Sequence, residues 1–282
     1  SLHTPPVLKG LRELPPLPAV VLELIQSLGN EGFGAEQLAN TISRDQAIAA
    51  KTLQLANSSF YGLSRQVSTV AEATAILGVR TLRSVAMSAG LAKCFDQARC
   101  PGFDYTAFWR HSIGTAMCAA SLARVRCRDE GLAFTLGLLH DIGRLVLACT
   151  TPVLYAAVVE RQQRGDETLL ESERAVLGTD HAAVGATVAE HWKFAPAVVG
   201  AIAEHHAPAA VDGNPLAPSQ TDLLHVADNI AHALDLSHAP DDQVPPLSMA
   251  AWNRLALDER ECRDVFEQTE AQHEVVCAAL LS

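Results

Sequence analysis

The run Leu136-Gly137-Leu138-Leu139-His140-Asp141-Ile142-Gly143-Arg144-Leu145-Val146-Leu147 sets a histidine and a carboxylate side by side in a stretch that otherwise reads as buried helix. Helical spacing over 131–149 lines His140 up with Leu136, Gly143 and Leu147, and Asp141 with Phe134, Gly137, Leu138 and Leu145. Both polar groups therefore face apolar surroundings. An ionised carboxylate in such a place is costly unless a cation or a tight hydrogen-bond partner offsets its lost hydration. That partner has to come from elsewhere in the chain.

Outward from this run, helix signals dominate. Apolar residues recur at three- and four-residue spacing over 20–28, 35–42, 45–56, 70–77 and 81–92, with Gly29, Gly62 and Gly78 as stops. Pro15-Pro16-Leu17-Pro18 presets an extended entry, and Cys100-Pro101-Gly102 breaks the pattern before Asp104, which can cap a longer helix. Over 105–125 two apolar stripes appear, Trp109, Ile113, Met117 and Ala120 on one and Cys118, Leu122 and Val125 on the other, as in a helix at the middle of a bundle. Further helices are expected over 131–149, 152–164, 172–178, 181–192, 196–206 and 219–235, and a proline-rich joint at 240–246 leads into two closing helices. Long alternating runs typical of strands are absent. The expected fold is all-α, divided at Cys100 into an N-terminal helical half (1–100), a site-bearing half (101–236) and C-terminal helices (237–282) packed on the domain.

His111 sits within the doubly apolar helix. His205-His206 closes a helix that begins near Ala197, and Asp228 shares a face with Leu224, Ala227, Ala231 and Leu234. With His140, Asp141 and His181 these make a set of imidazoles and carboxylates spread over several apolar helix faces. Such a donor mixture suits a first-row divalent metal (Fe, Mn, Ni, Co or Zn), and carboxylates able to bridge suit two ions about 3.5–4 Å apart. Other polar residues have plainer readings. His191 reads as helix surface; His225, one turn before Asp228, reads as helix surface with a supporting place behind the ligands as the alternative; and His3, His232, His238 and His273 have no context. Asp45 reads as a helix N-cap, and Glu171 with Glu173 as a solvated helix start.

At 282 residues, 49% hydrophobic and 19% charged, the chain can bury a sizeable core. Its longest uncharged run, 145–159, is interrupted by Thr150-Thr151-Pro152 and is too short to span a bilayer. No charged-then-apolar leader signals export. Seven cysteines without C-x-x-C spacing read as reduced core residues of a cytoplasmic protein. A net charge of -11 with no compensating basic cluster opposes nucleic-acid binding. Nucleophile elbow, phosphate-binding glycine loop, dinucleotide fingerprint and H-E-x-x-H motifs are all missing.

His111, His140-Asp141 and Asp228 resemble the H…HD…D signature of the HD superfamily of metal-dependent phosphohydrolases. Leu14-Pro15-Pro16-Leu17-Pro18, Asn57-Ser58-Ser59-Phe60-Tyr61-Gly62, Ala75-Ile76-Leu77-Gly78 and Leu82-Arg83 resemble the HDOD domain, an HD-related output domain. The likeness continues through Gly178-Thr179-Asp180-His181, Gly185, Trp192 and His205-His206-Ala207-Pro208. The resemblance implies an HD-type helical bundle with an N-terminal helical subdomain, a bacterial cytoplasmic setting and regulation linked to two-component or cyclic-dinucleotide signalling. Members of the family are mostly without demonstrated catalysis, and many have lost the metal ligands. In this chain His111, His140, Asp141, His181, His205, His206 and Asp228 match the two-metal positions of the related HD-GYP phosphodiesterases. The lysine after HD-x-G is Arg144, a glutamate that serves a third metal in some of those enzymes is Ala107, and 207–215 holds neither Gly-Tyr-Pro nor arginine. The expectation is a signalling output module with a retained metal site, a signalling protein as partner, and a phosphate or nucleotide ligand at the metal. The alternative is a two-metal phosphohydrolase with Asp141 and Arg144 as catalytic groups, Asp141 bridging the ions and Arg144 neutralising developing charge.

Overall fold

A computed structural model describes residues 17–28, 32–59, 61–94, 100–165, 167–209, 218–240 and 242–281. Among them there are helices and no strands. The N-terminal elements are α1 (Ala19–Gln26), α2 (Ala35–Ser43), α3 (Gln46–Ala56), α4 (Val70–Leu77) and α5 (Val79–Cys94). They begin where the sequence supplies caps. Asp45 accepts from the amides of Ala47 and Ile48, and Thr69 accepts from Glu72 N. Gly78 takes φ +83° between α4 and α5, a left-handed value that a side chain would oppose. Gly29 and Phe60, named above as a stop and as part of a motif, lie outside the described residues, as do Leu14 to Pro16.

The next elements are α6 (Tyr105–Val125), α7 (Glu130–Leu139), α8 (Ile142–Thr150), α9 (Pro152–Arg164), α10 (Leu169–Leu177), α11 (His181–His191), α12 (Pro196–Glu204) and α13 (Gln220–Ala233). Asp104 caps α6 through Ala107 N, and this helix is buried along nearly its whole length. It packs against α7, α13 and the last helix, which is why its apolar residues ring more than one face. Two closing helices follow, the short α14 (Met249–Leu255) and the long α15 (Glu259–Leu281). The helix expected over 131–149 is broken in two. His140 ends α7, and Asp141, at φ -96° and ψ 13°, starts α8 in the bridge region. The break turns the two side chains toward one point, which a straight helix would hold about 100° apart.

One apolar cluster runs from Leu17 through α1, α3, α5, α6 and α8 to Leu280 of α15. Buried polar links reinforce it: Arg83 Nη1 donates to Ser27 O (2.8 Å), and Ser84 Oγ to Gly131 O (3.0 Å). Glu130–Thr150 is apolar and long enough to cross a membrane by length and composition, with mean hydropathy 1.5, a span the uncharged run 145–159 understated. It is 83% buried within the bundle, as a core element is. Among the described residues six cysteines are free; Cys127 is exposed, so it departs from the core reading, while Cys100, Cys118 and Cys277 are buried.

Candidate metal centre

Five elements converge on one buried cluster. His111 comes from α6, His140 and Asp141 from the α7–α8 break, His181 from the first residue of α11, His205 and His206 from the end of α12, and Asp228 from α13. Asp141 holds the N-cap position of α8, yet its side chain makes no capping bond and faces the histidines. Its Oδ1 lies 3.1 Å from His181 Nε2 and 3.6 Å from the Nε2 atoms of His140 and His205. Asp228 Oδ1 lies 3.0 Å from His111 Nε2 and 3.3 Å from His140 Nε2. His206 Nε2 is 2.8 Å from His181 Nε2. Two sets each bring their ligand atoms within 4.8 Å of one another: Asp141, His181, His205 and His206; and His111, His140 and Asp228.

The protons decide what this cluster can hold. His140 Nδ1 faces Gly137 O and His205 Nδ1 faces Ile202 O, each at 2.7 Å. A carbonyl oxygen only accepts, so the hydrogen sits on Nδ1 and the neutral ring presents a lone pair at Nε2. His181 Nδ1 likewise donates to Glu173 Oε2 (2.7 Å). His205 Nε2 and Asp228 Oδ2 are buried with no hydrogen-bond partner. Imidazole lone pairs and two carboxylates thus point at shared space with too few hydrogens between them. A divalent cation satisfies such a set, and its nitrogen and oxygen donors fit a first-row metal.

Electrostatics keep both carboxylates ionised and divide the imidazoles. Burial would raise the Asp141 carboxyl, but His140, His181 and Arg144 outweigh it and hold it well below the usual carboxylate range. Burial is likewise outweighed at Asp228 by His232, His111 and His140. His206 is pushed down to about 2 by burial and by the neighbouring His205 and His181. His111 falls to about 4, through burial and then His232. His181 goes the other way, to about 10, because Glu173 and Asp141 overcome its burial. Arg144 Nη1 donates to Asp141 Oδ2 (2.8 Å), so the arginine is the carboxylate's standing partner.

Some residues prove closer to the centre than their sequence context implied. Glu173 is fully buried, not solvated: it accepts from His181 Nδ1, from His181 N (2.8 Å) and from Tyr155 OH (3.0 Å). Its spacing with Leu169 and Leu177 puts it on the apolar face of α10, a signal its acidic neighbours obscured. His225 is buried as well, with Nδ1 donating to His205 O (2.7 Å) and Nε2 accepting from Ser248 N (2.8 Å), so it fixes the backbone under His205. His232 stands one turn beyond Asp228, and Asp242 reaches it from the proline-rich joint. His191 is exposed.

Two cavities open on the cluster. One of about 310 Å³ is lined by Asp141, Arg144, Arg174, His206 and Asp228; the other, about 270 Å³, by His111, Arg144, Tyr155 and Ser237. Gln162, Leu169, His232 and Asp242 face both. Each is near the lower end of small-molecule site volumes, about 300–1,000 Å³.

The all-helical bundle and its H…HD…D array define an HD-superfamily domain. Within that class the chain belongs to the HDOD family, whose domain model matches residues 14–208. A crystal structure of an HDOD domain protein of unknown function from Geobacter sulfurreducens superposes with TM-score 0.80 at 22% identity, covering 97% of this chain and 96% of that one. A proposed phosphohydrolase from Shewanella amazonensis SB2B gives 0.78 at 26% identity, over 99% of this chain and all of that chain. An uncharacterized protein of Treponema pallidum (strain Nichols) is 22% identical over 259 residues, 91% of this chain but only 44% of that protein's length.

Proposed function

We propose that this chain is a cytoplasmic signalling output module of the HDOD type, with a structural pair of divalent first-row metal ions in its HD half and a signalling protein as its partner. The observation that carries the metal reading is the convergence of the Nε2 atoms of His140, His181 and His205 on Asp141 Oδ1 while each Nδ1 is tied to an acceptor. Asp141, His181, His205 and His206 would hold one ion and His111, His140 and Asp228 the other, with Asp141 placed to touch both sets. Support for a signalling role comes from the family and from a proposed signal transduction protein of Marinobacter aquaeolei VT8, alike in fold with TM-score 0.76. Elemental analysis of the purified full chain tests the metal: two or more equivalents are expected, and Asp141→Ala should lose most of them. A protein free of transition metal would overturn this.

A second reading, a metal-dependent phosphohydrolase, is favoured by the two cavities that meet at Arg144 beside the cluster. The Shewanella relative named above is described as a proposed phosphohydrolase. A bound metal pair would supply Lewis acidity and an activated water. The chain's own part would be to admit a phosphoester through the cavities, to place Arg144 against its charge, and to keep Asp141 ionised. Assays with phosphomonoesters and cyclic dinucleotides separate the readings. Turnover abolished by Asp141→Ala would replace the signalling reading with the enzymatic one.

A further inference from the structure

His111, His232 and Asp242 form a third set whose ligand atoms lie within 4.8 Å of one another, and the pair centre described above does not use it fully. His111 turns Nε2 to Asp228 and His140, leaving Nδ1 buried with no hydrogen-bond partner. His232 stacks beside it, ring centroids 4.3 Å apart and planes 38° apart. Its Nδ1 meets Asp242 Oδ1 at 2.5 Å and its Nε2 lies 3.5 Å from Asp228 Oδ1. Asp242 is steadied on its other oxygen by Ser237 Oγ, which donates at 2.6 Å. The 270 Å³ cavity lined by Ala107 and Ser237 opens on the same three residues, so water or a ligand oxygen has room to complete a coordination shell.

We propose that His111, His232 and Asp242 hold a third divalent first-row cation beside the metal pair, with His111 bridging the two centres as an imidazolate whose ring proton leaves to solvent. The inference rests on the metal reading of the neighbouring centre and goes beyond it in adding a site and two residues. Two imidazoles and a carboxylate with an open side make a donor set suited to Mn, Fe or Zn. A cation would take the place of the proton that His232 and Asp242 share, and the pair, now at 2.5 Å, would part by roughly 0.5 Å, since atoms about 2 Å from one ion stand about 3 Å apart. Asp242 comes from the proline-rich segment that walls the larger cavity with Gln243 to Pro246. Occupancy would therefore pin that segment to α6 and α13, linking the cavity wall to metal load.

The test is metal stoichiometry. Full-length protein, stripped with a chelator and dialysed to equilibrium against Mn²⁺, should carry three ions per chain by elemental analysis. Asp242→Asn and His232→Gln should each carry two with unchanged helical circular dichroism, and Asp242→Glu, which keeps a carboxylate, should return the third. Two ions in the wild type with no loss in either variant would show that the dyad is only a hydrogen bond. A fall to one ion or none in a folded Asp242→Asn would assign Asp242 to the pair centre and sink the third site. No metal at all in the wild type would overturn the pair reading with it, so the two failures are distinct.

Discussion

At the scale of single residues, Glu173 governs how tightly the centre can close. It fixes the tautomer of His181 by accepting from Nδ1, and it is the foremost of the groups that raise the imidazolium of His181 to about 10. In the metal-free protein His181 is therefore protonated at neutral pH, and a metal must displace that proton. The sign follows: affinity rises with pH up to about 10 and falls as pH drops. The same proton stabilises the metal-free fold fully below the unfolded value of about 6.5, and this contribution is lost as pH rises through the folded value. Calorimetric titration at pH 7 in two buffers of different ionisation enthalpy should show a proton released from His181 per chain. Glu173→Gln should weaken metal binding by about 10–100-fold and reduce that proton release, Asp141 remaining beside His181. Affinity and proton count both unchanged would remove Glu173 from the centre. Asp141 was legible in sequence because a charge among leucines demands a partner. Glu173 was not, because Glu171 beside it is a true exposed cap partner of Thr168 and lends it the look of a solvated helix start.

At the scale of elements, the site depends on how closely α8 approaches α11. A Cβ at Gly143 would fall 1.9 Å from His181 O and 2.8 Å from Gly185 N, both backbone atoms that cannot swing aside. Only a glycine lets the α7–α8 break lie directly under the first turn of α11, where His181 starts. Gly143→Ala should cost about 1–3 kcal/mol or more in urea denaturation and lower metal content, because it pushes His181 away from Asp141. Gly200→Ala on α12, where a Cβ meets nothing within 4 Å, serves as the control and should be neutral or stabilising by up to about 1 kcal/mol. Equal effects from the two would refute the close-approach argument. Periodicity made most helices readable, since each buries one apolar face. It could not reveal the break at His140-Asp141, because α7 and α8 are both apolar and the interruption inserts no proline or glycine. Nor could it place Asp242, whose loop has no period to read.

At the scale of the whole molecule, the cluster draws on α6, the α7–α8 break, α11, α12 and α13, so metal binding is a statement about the fold. Those same helices are stitched to the rest by α15: Lys51 Nζ donates to Leu280 O (3.1 Å), and His273 Nε2 to Arg110 O (2.8 Å), one residue from His111. Ligands of this kind converge only when the bundle is assembled, and binding to the folded state alone adds RT ln(1 + [M]/Kd). At a thousandfold excess over Kd that is about 4 kcal/mol for one ion. With roughly 2–4 °C per kcal/mol for a chain near this size, chelation should lower Tm by about 8–16 °C, and readdition of metal should restore it. Asp141→Ala should lose most of that chelator-dependent shift, since its centre has lost the shared ligand. A wild-type Tm indifferent to chelator would mean that the buried imidazoles are held by protons, with His181 charged against Glu173 and Asp141, and that the centre works in the fold without metal.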